Sequence, residues 1–190
     1  MADGEGSGNR RTILGVDPSL TACGWAVLTL DGVPLAMGCA RTEKGQTGRH
    51  VYQADDDGAR VDTIARALVT HGTGAALIAS EAPAGSQHAL AAKALGLAYG
   101  CVRGVAVALG AHVVTVQAHE PRILLCKTKG ASKLDVKNAL LAIYPNAMEL
   151  LGPKPSKVVW EGAFDALAVA HTTRVGAIGD MLRAASGSVQ

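Results

Sequence analysis

The chain divides into short apolar runs of strand length and longer segments with apolar residues at helical spacing. The short runs end at turn residues, whereas the longer segments repeat their apolar positions every three or four residues. The short runs predict strands at 12–17, 24–30, 33–41, 74–81 and 111–116. The longer segments predict helices at about 58–71, 88–109, 132–144 and 158–175.

The order of these elements indicates the fold class. Asp31-Gly32 is a strong hairpin signal between the second and third strands, so the chain is expected to open as an antiparallel meander. The later strands alternate with helices, which is typical of parallel strands in α/β domains. We therefore predict an α/β fold with a mixed five-stranded sheet, three antiparallel strands followed by parallel strands, and helices on both faces.

Length and composition indicate one domain. The chain has 190 residues, and we place the domain at 11–176, with flexible tails at 1–10 and 177–190. The N-terminus lacks the apolar core of a signal peptide, and no uninterrupted apolar run reaches the ~18 residues that span a bilayer. The 4 cysteines stand singly, as expected for reduced thiols. We expect a cytoplasmic protein, inside a bacterium or, if phage-encoded, inside its host.

Three single carboxylates stand out because each lies in apolar surroundings. Asp17 ends the first predicted strand, Glu81 ends the fourth, and Asp165 lies within the helical stretch AFDALAVAH. Unpaired buried carboxylates are costly, and neighbouring ones repel one another unless a cation lies between them. Mg²⁺ meets this need because it prefers oxygen ligands, and a pair of such ions can activate water against a phosphodiester.

Each carboxylate also has an ordinary explanation. Asp17 precedes a proline, so it can be a turn residue, and Glu81 can face solvent at the end of a strand. Asp165 can pair with Arg174 or with a lysine. The convergence of three acids from suitable elements favours the metal site over these separate explanations.

Other acidic residues are weaker candidates. Glu161 lies four residues before Asp165 and shares its helical face, so it is either a fourth oxygen donor or a solvated acid near a helix start. The polar stretch 42–58 is expected to form a loop with a solvated acidic triplet of Asp55, Asp56 and Asp57.

Basic residues cluster late in the chain. From Arg122 to Lys157 there are seven Lys and Arg residues against two acids, whereas the whole chain has a net charge of only +2. Such clustering is typical of phosphate-binding surfaces, although solvated lysines around a helix would give the same count. No aromatic residues alternate with them, which favours duplex or branched DNA over single strands. The candidate DNA-binding residues are Arg122, Lys127, Lys129, Lys133 and Lys137.

Several segments, taken in order, resemble the RuvC family of Holliday junction resolvases in the ribonuclease H-like superfamily. ILGVDPSLTACGWAVL (13–28) is similar to the opening motif of that family, and residues 79–110 resemble its glutamate segment and the long helix that follows. Residues 118–137 resemble its basic segment, and FDALAVAHTTR (164–174) resembles its final helix. The resemblance covers residues 12–175.

The resemblance implies a ribonuclease H-like fold and a crossover junction endonuclease that resolves four-way junctions, and other branched DNA, by symmetric phosphodiester hydrolysis. It implies Mg²⁺ as cofactor, two ions per site, with Mn²⁺ able to substitute. The implied partners are branched double-stranded DNA and a second copy of the chain, without membrane or nucleotide cofactor. Arg122 and Lys133 fall where the family carries lysines near the scissile phosphate. The implied catalytic residues are Asp17, Glu81, Asp165, Glu161 and Lys133, and the four acids among them are the implied metal ligands.

Three departures from the family pattern leave an alternative open. Gly162 stands where the family has an acid or histidine, and Pro83-Ala84-Gly85 replaces a segment with a base-stacking aromatic residue. Ser19 replaces a frequent glycine, which a turn tolerates. The alternative is a non-catalytic protein that binds branched DNA through a degenerate site. An ATP-handling domain of the actin and sugar-kinase type requires two lobes, and this chain has length for one.

Overall fold

The computed structural model describes residues 12–45, 52–83, 85 and 88–187. The strands are β1 (Thr12–Asp17), β2 (Ala22–Thr29), β3 (Pro34–Arg41), β4 (Ala75–Glu81) and β5 (His112–Val116). The helices are α1 (Gln53–Gly72), α2 (Ala89–Leu109), α3 (Glu120–Cys126), α4 (Lys133–Ile143), α5 (Lys157–Val175) and α6 (Ala177–Gly187). A short 3₁₀ helix covers Glu149–Leu151.

The strands form one mixed sheet of five strands in the order β3-β2-β1-β4-β5. β1 pairs antiparallel with β2, and β2 pairs antiparallel with β3. β1 also pairs parallel with β4, which pairs parallel with β5. The β2–β3 hairpin turns at Gly32, whose φ of 90° lies in the region that favours glycine. The predicted fold class is confirmed.

Each face of the sheet carries its own apolar core, because alternate residues of a strand point to opposite faces. Ile13 packs into a core with α4 and α5, whereas Leu14 and Val16 pack into a core with α1 and α2. Helix α5 touches the backbone of β2, where a Cβ on Gly24 would lie 2.0 Å from the carbonyl oxygen of Gly162. This contact fixes α5 against the middle of the sheet.

The acidic triplet does not form the solvated loop that the sequence predicted. Helix α1 begins before the expected start at 58 and contains all of the triplet in its amino-terminal part, with Asp56 and Asp57 buried. Asp56 accepts a hydrogen bond from the backbone N–H of Gly45 (2.7 Å), and Asp57 pairs with Lys93 (2.6 Å). The prediction was wrong because these carboxylates find donors, and the start of a helix favours acidic groups.

The predicted C-terminal tail was also wrong in part. Residues 177–187 form α6, whereas 188–190 and the predicted tail 1–10 lie outside the described residues. Gly176 interrupts the helical path with an extended backbone, and Leu182 of α6 then packs against the core on the α5 side. Similarly, part of the basic stretch before α4 folds as α3, which the sequence analysis did not predict.

Helix α2 combines a buried face with an exposed apolar face. It is long and apolar enough to cross a membrane by length and composition alone, a property that counting uninterrupted apolar residues did not detect. Its buried residues are Ala98, Val102, Val105 and Ala106, and the last three pack into the core on the α1–α2 side of the sheet. Leu90 and Val107 are 82% and 83% exposed, so the outer face of α2 is uncovered in the single chain.

Candidate active site at the edge of the sheet

Two of the predicted acids meet because β1 and β4 are parallel neighbours. The carboxyl ends of parallel strands lie at the same edge of a sheet. Val16 of β1 pairs with Ser80 of β4, so the residues that follow them, Asp17 and Glu81, lie side by side at this edge.

Helix α5 supplies the third carboxylate. It lies so close to β1 that a Cβ on Gly15 would be 2.1 Å from the carbonyl oxygen of Ala166. This contact carries Asp165 to the sheet edge, where it lines a cavity of about 110 Å³ together with Asp17 and Glu81. The structure therefore brings the three predicted acids to one cavity, and their role as metal ligands stays a prediction.

The pKa of each of the three carboxyl groups is raised above its ordinary value. Burial raises the pKa of Asp17 to about 7, and the charges of Asp165 and Glu81 contribute to the increase. Burial and the charge of Asp165 raise the pKa of Glu81. Burial also raises the pKa of Asp165, although a hydrogen bond from Lys133 opposes the increase. A cation in the cavity would relieve both the burial cost and the mutual repulsion.

Lys133 supplies one positive charge to this cavity from the first residue of α4. A capping box formed by Ser132 and Asp135 fixes the start of that helix. The Nζ of Lys133 lies 2.5 Å from Oδ2 of Asp165. Burial alone would lower the pKa of Lys133, but this hydrogen bond and the charges of Asp165 and Asp17 outweigh burial and raise it.

The donor set fits a hard divalent cation, but the side chains do not form a ready-made cluster. Among the described residues, no group of three or more His, Cys, Asp or Glu side chains is arranged to hold a metal ion as it stands. The ammonium group of Lys133 instead neutralises Asp165. Three carboxylates in one small cavity are nevertheless the ligands that Mg²⁺ selects, so an incoming ion would compete with Lys133 for Asp165.

Glu161 is not brought into the cavity. Its carboxylate lies 3.7 Å from the Nζ of Lys157, although its charge still raises the pKa of Asp165. Gly162 faces the sheet, where an added Cβ would lie 3.4 Å from the Cα of Gly24. The position that carries an acid or histidine in the resembled family thus points toward β2 here, and a fourth ligand from Glu161 stays a prediction.

The predicted basic residues divide into two groups. Arg122, on α3, and Lys133 line the cavity. The others lie outside its lining: Lys127 donates to the carbonyl oxygen of Leu124 (3.0 Å), and Lys129 is exposed in the α3–α4 loop. The basic residues therefore extend from the cavity wall onto the adjoining surface.

Lys137 contacts an aromatic ring, which the sequence pattern did not predict. The Nζ of Lys137, on α4, lies 4.5 Å from the ring centroid of Trp160, on α5. This cation–π contact joins two helices, so no spacing along the sequence signals it. It holds Lys137 over the ring of Trp160.

Three solved structures share this fold, and the names of two of them include the Holliday junction. "T. thermophilus RuvC in complex with Holliday junction substrate" is 22% identical with a TM-score of 0.67, covering 90% of this chain and 96% of that one. A further Thermus thermophilus RuvC structure is 21% identical with a TM-score of 0.63, covering 93% and 97%. The yeast mitochondrial Holliday junction resolvase is 10% identical with a TM-score of 0.61, covering 95% and 87%.

These identities are low, and they show that the chain has the RuvC-like, ribonuclease H-like fold. No protein-family model matches the chain, and neither does any curated protein sequence. Fold alone does not determine an activity, which depends on the residues of the cavity.

Proposed function

We propose that this RuvC-like chain is a metal-dependent endonuclease that resolves four-way DNA junctions. The observation that carries the proposal is the convergence of Asp17, Glu81 and Asp165 on one cavity walled by Arg122 and Lys133. A fold neighbour was solved in complex with a Holliday junction substrate, and this supports branched DNA as the substrate class.

Asp17, Glu81 and Asp165 would hold Mg²⁺, with Mn²⁺ able to substitute, in up to two sites per chain. Bound ions would supply an activated water and stabilise the leaving oxygen of the phosphodiester. Lys133 would place its ammonium beside the phosphate being cut, and Arg122, which also lines the cavity, would bind a neighbouring phosphate oxygen. Glu161 would contribute negative charge near Asp165, where it already raises the pKa of that residue.

The remaining basic residues would hold the DNA backbone outside the cavity. Lys127, Lys129 and Lys137 lie outside the cavity lining, and each phosphate contact that they make would increase the sensitivity of binding to salt.

We propose that the active form is a homodimer that pairs through α2. Added Cβ atoms on Gly96, Gly100 and Gly104 would meet no atom within 4 Å, so this face of α2 is uncovered. The four-residue spacing puts these glycines on one side of the helix, near the exposed Val107. A twofold dimer would present two cavities to the two symmetric strands of a junction.

A Gly100→Arg substitution tests the dimer, because a long charged side chain on this face would prevent close helix packing. Sedimentation is expected to show a wild-type dimer and a monomeric variant. A wild-type chain that remains monomeric at the concentrations used for cleavage would contradict the dimer.

The alternative function, branched-DNA binding without cleavage, is favoured by the absence of a ready-made metal cluster among the described residues. A synthetic four-way junction with Mg²⁺ separates the two functions. The wild-type chain and the exposed control Glu149→Gln are expected to cut it symmetrically, whereas Asp17→Asn is expected to bind it without cutting. Tight binding by all three proteins with no metal-dependent cutting by any of them would establish the alternative.

A further inference from the structure

A second cavity lies on the α1–α2 side of the sheet, between the amino-terminal parts of α1 and α2. Its volume is about 190 Å³. Three basic side chains line it, against the single acidic side chain of Asp57; they are those of Lys44, Arg60 and Lys93. Neither the sequence patterns nor the candidate active site accounts for this concentration of positive charge.

The second cavity is joined to the candidate active site by the β1–β2 turn. Asp17 begins this turn and lines the first cavity, and Leu20 lines the second. Three residues of extended chain span at most about 10 Å, which is the rise of about three nucleotides along one DNA strand. A strand that crosses the sheet edge at Asp17 would therefore reach the second cavity within a few nucleotides.

Arg60 fixes the turn between the two cavities. Its guanidinium donates to the carbonyl oxygen of Leu20 (3.3 Å) and to the hydroxyl oxygens of Thr21 (3.0 Å) and Thr42 (3.0 Å). Thr42 in turn donates to the carbonyl oxygen of Leu20. A ligand bound at the second cavity would therefore contact Arg60 and Leu20, which belong to or are hydrogen-bonded to the turn that begins at Asp17.

The lysines of the second cavity retain donors for a ligand. A lysine ammonium has three donors, and Asp57 takes one from Lys93 at 2.6 Å. The other oxygen of Asp57 accepts from Gln53 at 2.9 Å, so this carboxylate is already satisfied. Among the described residues, Lys44 has no carboxylate within ion-pair distance. The exposed side chain of Leu90 adds an apolar rim.

We propose that this second cavity binds a backbone phosphate of the DNA strand that enters the candidate active site, a few nucleotides from the cut. Lys44 and Lys93 bind the phosphate oxygens, and Arg60 links the occupied cavity to the Asp17 turn. Leu90 contacts the sugar beside that phosphate. Asp57 weakens the contact, because it competes with the phosphate for Lys93. The inference rests on the proposed function, since it assigns a further contact to the same substrate.

Lys93→Gln and Lys44→Gln test this contact through junction binding in EDTA, which prevents cutting. Each lost phosphate contact is expected to reduce the slope of log K against log salt by ~0.9 and the affinity by roughly five- to tenfold at 0.1 M salt. Arg66→Gln is the matched control, because Arg66 is exposed on α1 and does not line the cavity. Thermal unfolding confirms that each variant is folded.

Asp57→Asn tests the opposite direction. It removes the competitor for Lys93, so junction affinity is expected to rise about two- to fivefold, again without an effect of Arg66→Gln. Unchanged affinity and salt slope in both lysine variants would overturn the inference. So would a loss of inorganic phosphate binding in these variants while junction binding stays intact, because the cavity would then serve a free anion.

The outcome is distinguishable from failure of the proposed function. If wild-type protein cuts the junction and the lysine variants bind it normally, only the second phosphate contact is wrong. If wild-type protein neither binds nor cuts any branched DNA, both proposals are wrong.

Discussion

Two groups of buried carboxylates in this chain have opposite surroundings. Asp56 and Asp57, at the start of α1, accept hydrogen bonds from Gly45, Gln53 and Lys93, and the contact with Lys93 lowers the pKa of Asp57. Only Oδ2 of Asp56 is buried without a hydrogen-bond partner among the described residues of this group. At the sheet edge, burial and mutual repulsion raise the pKa of Asp17, with only one lysine in compensation. The first group stabilises the fold through its contacts. The second group destabilises the metal-free fold when it is ionised, and a bound cation would remove this repulsion and burial cost.

The largest expected difference between the groups is in DNA cleavage. Asp17→Asn removes a carboxylate oxygen from the proposed metal site, so cleavage of a four-way junction is expected to fall by at least about a hundredfold. Asp57→Asn leaves the cavity of Asp17, Glu81 and Asp165 unchanged and should retain cleavage. Gel assays under single-turnover conditions measure both, and equal cleavage by the two variants would erase the functional distinction.

Lys133→Met tests the two roles proposed for this lysine at the sheet edge. The lysine would assist the reaction and would also compete with the metal for Asp165. Cleavage is expected to fall by about tenfold to a hundredfold, while Mn²⁺ binds more tightly than to the wild type. Kinetics at saturating Mn²⁺ and calorimetric titration separate the two effects. Weaker Mn²⁺ binding in this variant would show that Lys133 supports the site rather than competing for Asp165.

Much of this contrast follows from local sequence signals. Asp17 and Glu81 were placed correctly because each ends an apolar run, and neighbouring parallel strands end at one edge. The burial of Asp57 was not predictable, because its partner Lys93 lies on another helix, distant in the sequence. Likewise, a glycine at 176 is typical of the end of a helix, so the sequence predicted no helix after it. Helix α6 follows because Leu182 packs against the core, a contact that the local sequence does not signal.

The contrast also predicts opposite pH dependence of stability. Asp17 has a folded pKa of about 7 against an ordinary value of 3.8, so the folded state binds the extra proton between these values. The metal-free fold therefore loses stability as pH rises from about 4 to 7, by up to ~4 kcal/mol. Asp17→Asn should match the wild type near pH 4 and be more stable above pH 7 in thermal unfolding with EDTA. An equal or lower Tm above pH 7 would contradict the raised pKa.

The smallest effect is expected at Asp57. Its lowered pKa means that its stabilising contribution is present at neutral pH and disappears as pH falls through the folded pKa. Asp57→Asn should therefore lower Tm at pH 7 by only about 2–4 °C and have less effect in acid, because its partner Lys93 is half exposed. A Tm difference that grows on acidification would be inconsistent with this pairing.

Calorimetric titration of Mn²⁺ into the metal-free protein tests most directly whether the sheet-edge carboxylates form a divalent metal site. The wild-type chain and Asp57→Asn are expected to bind Mn²⁺ alike, with up to two ions per chain, whereas Asp17→Asn and Glu81→Gln lose this binding while remaining folded. Equal Mn²⁺ binding by all four proteins, or no binding by the wild type, would contradict it.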